Sequence, residues 1–122
     1  LEAPVLIGHG CSIGPGARIG PHSVVGDNCV IEPGAEVNHS VLWSGCYLGA
    51  NSHVRGATVC RNVVMKNQVS IQEGAVIGDR CLLDEGTTVM PEIRIWPNKY
   101  TERGAKVTMS LIWGPKWPGT PP

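Results

Sequence analysis

Four histidines are the residues of this sequence with the clearest capacity for acid–base or metal chemistry: His9, His22, His39 and His53. An imidazole can act as the general base of an acyl transfer, and three imidazoles that converge on one ion can form a catalytic zinc site. Successive histidines are separated by 13, 17 and 14 residues. None of these intervals is a multiple of eighteen, the structural repeat that the aliphatic pattern indicates, so we expect no two histidines to stack. We interpret all four as surface or turn residues and predict no catalytic, cofactor-binding or metal-binding residue.

Three basic residues suggest a second kind of chemistry, anion binding. Arg55, Arg61 and Lys66 are the only charged residues between positions 37 and 71. A cluster of this kind could bind a phosphorylated effector. The alternative is that Arg61 and Lys66 form ordinary surface pairs with the aspartates eighteen residues later, and such pairs contribute little.

Five cysteines are present, and four of them share one position in the pattern. Cys11, Cys29, Cys46 and Cys81 each stand four residues after an aliphatic residue, where a small buried side chain is expected. Cys60 breaks this rule and should face outward. The odd number and the absence of a Cys-x-x-Cys pair favour reduced thiols and a cytoplasmic location.

Composition limits the class of protein further. The 122 residues are enough for one domain, and 16 glycines with 10 prolines and no phenylalanine suit a chain rich in turns. The formal net charge is zero, which argues against a nucleic-acid partner. No apolar run approaches the roughly 20 residues that span a bilayer, so we expect no membrane partner.

The elements that position these side chains follow from a period of six. An aliphatic residue recurs at every sixth position from 1 to 37 and again from 59 to 95; Thr101 breaks the series and Val107 resumes it. This period fits neither an α-helix nor a simple strand and is typical of hexapeptide-repeat parallel β-helices. Glycine or asparagine three residues after the aliphatic, as at Gly10, Gly16, Asn28 and Gly34, suits a corner with positive φ.

Three hexads would close one triangular coil of eighteen residues. The pattern therefore predicts an all-β, single-stranded parallel β-helix of about six coils. We place it at residues 1–114, followed by a Pro-rich tail or linker at 115–122. Because the first residue already lies within a hexad, we expect the chain to be a piece of a longer polypeptide.

The frame slips between positions 37 and 59. Leu42, Leu48 and Val54 keep the six-residue step, but this segment joins Val37 and Val59 by steps of five. Either two corners are shortened or a four-residue loop protrudes. The sequence leaves both possibilities open.

Continuous apolar triplets at 41–43 and 111–113 cannot place all their side chains in the core. Some must lie outside, where apolar strips usually mark a contact surface. Alternatively, a tryptophan near the end of a solenoid caps exposed rungs. The candidate contact surface consists of Trp43, Trp96, Pro97, Lys99 and Trp113.

Five motifs carry a resemblance to a known family: Ala-Pro-Val-Leu-Ile-Gly at 3–8, Ser-Val-Leu-Trp at 40–43, Ile-Trp-Pro-Asn-Lys at 95–99, Gly-Ala-Lys-Val at 104–107 and Ser-Leu-Ile-Trp-Gly at 110–114. The chain resembles the C-terminal left-handed β-helix of sugar nucleotidyltransferases. It is most similar to the mannose-1-phosphate guanylyltransferase group. The resemblance covers nearly the whole chain and supplies the left-handed coiling, an exception to the usual right-handed crossover.

The resemblance implies a role in assembly. Enzymes of this group join a nucleoside triphosphate to a sugar 1-phosphate on an N-terminal domain that has a Gly-rich segment and a Mg²⁺-binding aspartate, and this chain contains neither. It is therefore expected to be a non-catalytic oligomerisation or regulatory domain with no cofactor of its own, Mg²⁺ belonging to the catalytic domain. The implied partners are its own N-terminal catalytic domain and further copies of itself.

Two other functions compete with this interpretation. The first is a hexapeptide-repeat acyltransferase that uses acetyl-CoA, although the Gly-x-Pro-Ala-Lys/Arg ending that such enzymes often carry is missing. The second is a purely structural scaffold. Binding of coenzyme A would favour the acyltransferase over both others.

Overall fold

The computed structural model describes residues 5–111, and all its regular elements are short β-strands, numbered here in chain order. They form three parallel six-stranded sheets, and each sheet is one face of a triangular prism. The first face contains β1 (Val5–Ile7), β4 (Ser23–Val25), β7 (Val41–Leu42), β10 (Thr58–Val59), β13 (Val76–Ile77) and β16 (Arg94–Ile95). The second contains β2 (Ser12–Ile13), β5 (Val30–Ile31), β8 (Tyr47–Leu48), β11 (Val64–Met65), β14 (Leu82–Leu83) and β17 (Tyr100–Thr101). The third contains β3 (Arg18–Ile19), β6 (Glu36–Asn38), β9 (His53–Arg55), β12 (Ser70–Ile71), β15 (Thr88–Val89) and β18 (Lys106–Val107).

These faces confirm the predicted all-β helix of six coils. Each coil places one strand on every face, so each strand pairs with the strand three elements further along the chain. The predicted end of the β-helix at residue 114 and the tail at 115–122 lie outside the described residues. Within residues 5–111 no helix is long and apolar enough to cross a membrane.

The core is a stack of aliphatic rungs, one side chain from each strand. From Ile19 to Ile95 every one of these inward aliphatic residues is at most 2% exposed. Ile13, in the first coil, is 37% exposed because no earlier coil covers it. Each fully buried aliphatic contributes roughly 1.5–3 kcal/mol, so the stack as a whole, and no single coil, holds the fold.

The slip between positions 37 and 59 is caused by two shortened corners. Strand register pairs Val25 with Leu42, seventeen residues later, and Val37 with Val54, also seventeen later. Eighteen-residue spacing returns where Val59 pairs with Ile77. Both five-residue steps lie at the corner between the third and first faces, and no four-residue loop protrudes.

Backbone conformation at the corners agrees with the sequence. Gly10, Gly16, Asn28 and Gly34 all have positive φ, between 58° and 77°. Glycine adopts this region without steric cost and asparagine adopts it more easily than most residues. The prediction of turns at these four positions is confirmed.

Buried hydroxyl groups occupy the places where the aliphatic pattern is interrupted. Thr101 takes the inward position of its strand and is 5% exposed. Its Oγ1 lies 2.8 Å from Oγ1 of Thr87 and accepts a hydrogen bond from the Asp84 backbone N–H at 3.2 Å. Among residues 5–111, no buried side-chain polar atom lacks a partner, so this rung is polar without an unpaired group.

Candidate functional site

The first face of the prism carries an apolar outer surface. The outward residues of its strands stack in register, and five of the six have no charge. They are Leu6, Val24, Val41, Thr58, Val76 and, at the last coil, Arg94. Leu6 is 70% exposed, Val24 38% and Val76 37%. We call Leu6, Val24, Val41, Thr58 and Val76 the apolar face; contiguous exposed apolar residues of this kind usually mark a contact surface.

Two tryptophans extend the apolar face around one corner. Trp43 directly follows β7 and Trp96 directly follows β16, so both lie at the corner that leads to the second face, three coils apart. Trp43 is 45% and Trp96 51% exposed. The Arg61 guanidinium lies over the Trp43 ring, 5.1 Å from its centroid, a contact worth about 0.5–1 kcal/mol at an exposed site. Half-exposed indoles beside an apolar strip suit recognition of another protein surface.

The other members of the candidate contact surface are placed differently. Pro97 is exposed at the same corner as Trp96, and its Cδ lies 2.7 Å from where a Cβ on Gly78 would stand, which explains the glycine there. Lys99 is only 6% exposed, because it occupies the position two residues before an inward side chain. It therefore adds little outer surface. Trp113 lies outside the described residues.

The structure does not bring the three basic residues into one patch. Arg55 ends a strand of the third face, Arg61 lies in the turn between the first and second faces, and Lys66 follows a strand of the second face. They occupy the three different corners of the prism. One small effector therefore cannot contact all three residues at once.

Each of these cations also has a partner. Arg55 Nη2 lies 3.8 Å from Glu36 Oε1, and Lys66 Nζ lies 3.7 Å from Asp84 Oδ1, the pair expected from eighteen-residue stacking. Arg61 contacts Asp79, as expected, but through its backbone and not through its guanidinium. Its backbone N–H donates to an Asp79 carboxylate oxygen at 2.9 Å, while its guanidinium covers Trp43.

The expectation that no two histidines stack is wrong. The rings of His22 and His39 lie with their centroids 5.3 Å apart. They are separated by seventeen residues, which is one full coil in this part of the chain rather than a mismatch. The two five-residue steps between positions 37 and 59 could have predicted this contact, because each step shortens the coil that contains it from eighteen residues to seventeen.

A second histidine contact also follows from seventeen-residue coils. His53 is the register partner of Glu36, and its Nδ1 lies 2.9 Å from Glu36 Oε1. A carboxylate at this position holds the imidazole in one orientation and favours the proton on Nδ1, leaving Nε2 to accept a proton. A cavity of about 380 Å³ beside this pair is lined by His53, Arg55, Ser70, Ile71, Gln72, Glu73 and Pro91. The sequence pattern did not predict this pair, because Glu36 and His53 are seventeen residues apart and the pattern indicates coils of eighteen.

The cysteines follow the predicted core pattern. Cys29, Cys46 and Cys81 are buried, Cys11 and Cys60 are half-buried, and all five are free thiols. The Cys81 Sγ donates to the Trp96 carbonyl of the next coil at 3.1 Å, and the other three core thiols donate to the equivalent carbonyl of the coil that follows theirs. Burial raises the pKa of the Cys81 thiol to about 11, so it stays protonated at neutral pH and is a poor nucleophile.

Within residues 5–111, no group of three or more His, Cys, Asp or Glu side chains is placed to hold one ion. The described residues instead offer an apolar face, one carboxylate-oriented imidazole and one pair of stacked imidazoles.

Three parallel faces, two- and three-residue strands and one aliphatic rung per strand define the class of protein, a hexapeptide-repeat left-handed β-helix. The family model of the EIF2B subunit epsilon LbH domain, where LbH denotes the left-handed β-helix, matches residues 1–89. The chain belongs to this family. A search of curated proteins found no significant match.

Solved structures with the same fold include two acetyltransferases. The acetyltransferase domain of PglB from Neisseria gonorrhoeae FA1090 superposes with a TM-score of 0.70 and 20% identity, over 88% of this chain and 51% of that chain. A putative acetyltransferase from Bacillus cereus superposes with a TM-score of 0.66 and 17% identity, over 90% of this chain and 77% of that chain. This chain thus spans about half the length of the PglB structure, and at these identities the likeness establishes the fold alone.

Proposed function

We propose that this chain is the non-catalytic assembly and regulatory β-helix of a nucleotide-sugar pyrophosphorylase of the mannose-1-phosphate guanylyltransferase kind. The intact enzyme would convert a nucleoside triphosphate and a sugar 1-phosphate into a nucleotide sugar and diphosphate in the cytoplasm. That chemistry, with its Mg²⁺, would take place on a separate N-terminal catalytic domain. The β-helix would dock on that domain and join copies of the enzyme together.

The observation that carries this proposal is the apolar face together with the half-exposed Trp43 and Trp96 at one of its corners. Burying apolar surface contributes about 25 cal/mol per Å², and a tryptophan buries about 150–250 Å². Two indoles and a strip of aliphatic side chains therefore provide a sufficient hydrophobic centre for a protein interface. The third face, in contrast, presents only polar or charged outward residues: Arg18, Glu36, His53, Ser70, Thr88 and Lys106.

Two further facts support the proposal. The Ile-Trp-Pro-Asn-Lys motif at 95–99, through which the chain resembles the guanylyltransferase group, contributes Trp96 to this surface. The matched family is described as a domain of a subunit, and a subunit is a component of a larger assembly. Both facts agree with a domain that binds other domains or subunits.

Serine at both Trp43 and Trp96 should weaken docking of the β-helix on its catalytic domain and reduce the size of the oligomer. The physical reason is the loss of two half-exposed indoles from the contact surface while the core rungs stay unchanged. The measurement is the molar mass of the parent enzyme by light scattering, together with protease protection of the junction between domains.

Met109→Ser is the matched control. Met109 is 74% exposed, so this change also removes a large exposed apolar side chain, but Met109 follows β18 and lies off the tryptophan corner. The control should leave mass and docking unchanged. If the double tryptophan variant behaved like this control, the assignment of the contact surface would be wrong.

The second candidate function is acyl transfer from acetyl-CoA, and the observation in its favour is the Glu36–His53 pair beside a cavity. In that reaction His53 Nε2 would accept a proton from the acceptor hydroxyl or amine as the acceptor attacks the thioester carbonyl, and the thiolate of coenzyme A would leave. Ser70, the register partner of His53 on β12, would line the acceptor site. The pair has the geometry of a positioned base, and Arg55, which lies 3.8 Å from the same carboxylate, is the guanidinium that lines the cavity beside it.

Calorimetric titration with coenzyme A separates the two candidates. Under the assembly proposal no binding is expected with either the parent chain or the His53→Ala variant. Micromolar binding that disappears in His53→Ala would instead favour the acyltransferase.

A further inference from the structure

The stacked pair His22 and His39 is a feature that neither proposed function uses. Both residues are exposed and lie at successive corners between the third and first faces. Both have positive φ, 59° for His22 and 48° for His39. The His39 backbone N–H donates to the Pro21 carbonyl at 3.2 Å, which fixes the two corners relative to each other. The backbone therefore places the two imidazoles side by side before any ligand binds.

The distance between the rings matches the requirement of a shared metal ion. Zinc binds an imidazole nitrogen at about 2.0–2.1 Å with tetrahedral angles. Two imidazoles bound in this way have their centroids roughly 5 Å apart, by the geometry of those bonds and angles. The observed separation is 5.3 Å with the ring planes tilted by 41°. Directing one nitrogen of each ring at the same point requires side-chain rotation alone, because the backbone already holds the two corners together.

The charged neighbours are compatible with a cation. His39 also lines a cavity with Asn38, Arg55, Gly56 and Glu73. Arg55 is the cation of this cavity, and it lies 3.8 Å from the Glu36 carboxylate, while Glu73 adds a second negative charge. The negative charges of Glu36 and Glu73 thus offset the positive charge of Arg55 near a bound divalent ion.

We propose that His22 and His39 together bind a late first-row divalent metal ion of the Ni²⁺, Cu²⁺ or Zn²⁺ class. Neutral imidazole is a preferred ligand of these ions, and water fills the remaining coordination positions. The ion ties the corner after the first coil to the corner after the second. Its consequence is local, because it stabilises the N-terminal end of the prism, where Ile13 is the least covered rung described.

The test is calorimetric titration of the full chain with Ni²⁺ at slightly alkaline pH, where imidazole is neutral. Asparagine is the replacement of choice because it accepts positive φ, as at the corner residues Asn28 and Asn51, and so removes the imidazole without straining the turn. His22→Asn and His39→Asn should each weaken binding at least tenfold, since losing even an outer partner of a metal ligand costs about 10–100-fold. The ion should also raise the melting temperature of the parent chain, by linkage, and leave that of either variant unchanged.

Three controls exclude binding elsewhere. His9→Asn and His53→Asn should bind Ni²⁺ as the parent does. A variant with both half-buried thiols replaced, Cys11→Ser with Cys60→Ser, should also bind as the parent does. Binding weaker than millimolar, or equal losses in His22→Asn and His53→Asn, would identify an adventitious ion only and overturn the proposal.

Discussion

Replacing Leu48 by alanine should lower the free energy of unfolding by about 2–5 kcal/mol. Leu48 is 0% exposed and pairs in register with Ile31 in the previous coil and with Met65 in the next. Truncating it removes buried apolar surface and leaves a cavity between two rungs that backbone pairing holds in place. A loss of this size is large beside the 5–15 kcal/mol that stabilises a typical domain. Urea denaturation followed by circular dichroism measures it.

Val30→Ala is the matched control for this change. Val30 belongs to β5, next to β8 in the second face, but it points outward and is half-buried. We expect a loss of less than about 1 kcal/mol, since part of its surface is already in water. Equal losses in the two variants would mean that the inward rungs are not the main source of stability.

Glutamate at both Val24 and Val76 should abolish assembly through the apolar face without unfolding the chain. Their side chains are 38% and 37% exposed, so a carboxylate at either position remains hydrated in the separated protein. In a complex, two carboxylates would be buried without partners, and unpaired buried charges are strongly unfavourable. The residues lie three coils apart, so the two charges affect most of the length of the face. Sedimentation velocity should show the variant shifted to the mass of the separated protein at concentrations where the parent is assembled.

The control places the same charges on the polar third face. Ser70→Glu with Thr88→Glu adds two carboxylates on adjacent strands β12 and β15, and it should leave the sedimentation of the assembled parent unchanged. Loss of assembly in this control alone would move the contact surface from the first face to the third. Unchanged sedimentation in both variants would leave neither face as the contact surface.

Most of the fold could be predicted from the sequence because a β-helix is a local, periodic structure. A residue such as Ile31 is buried as a consequence of its position in the hexad, and no distant segment has to be known to place it. Thr101 follows the same rule although it is polar, because its position in the hexad points inward whatever the residue type. Its hydroxyl is paired with a second buried hydroxyl, that of Thr87.

Contacts between coils were less predictable, because they depend on coil length rather than on the hexad. A coil of seventeen residues brings His22 beside His39 and Glu36 beside His53, whereas a coil of eighteen keeps these residues apart. The two five-residue steps were visible in the sequence, but their meaning depended on whether they were shortened corners or a loop. That choice is decided by backbone hydrogen bonding between coils, which is not a property of any one segment.

The burial of a long polar side chain could not be predicted from the sequence either. Lys99 stands two residues before the inward Thr101, a position where Cys81 stands in the preceding coil. Lysine is rarely found so well covered, so residue type favoured the surface while position favoured the interior. In the structure the position decides, and Lys99 is buried where Cys81 is buried one coil earlier.

The most direct test of the assembly proposal is the intact mass of the native polypeptide from its own cell, together with the sequence that precedes Leu1. The proposal predicts a chain well above the mass of one domain, with a Gly-rich nucleotide-binding segment upstream of the β-helix. A native chain of about 13.0 kDa, close to the mass of these residues alone, would contradict it and make the acyl-transfer candidate the stronger one.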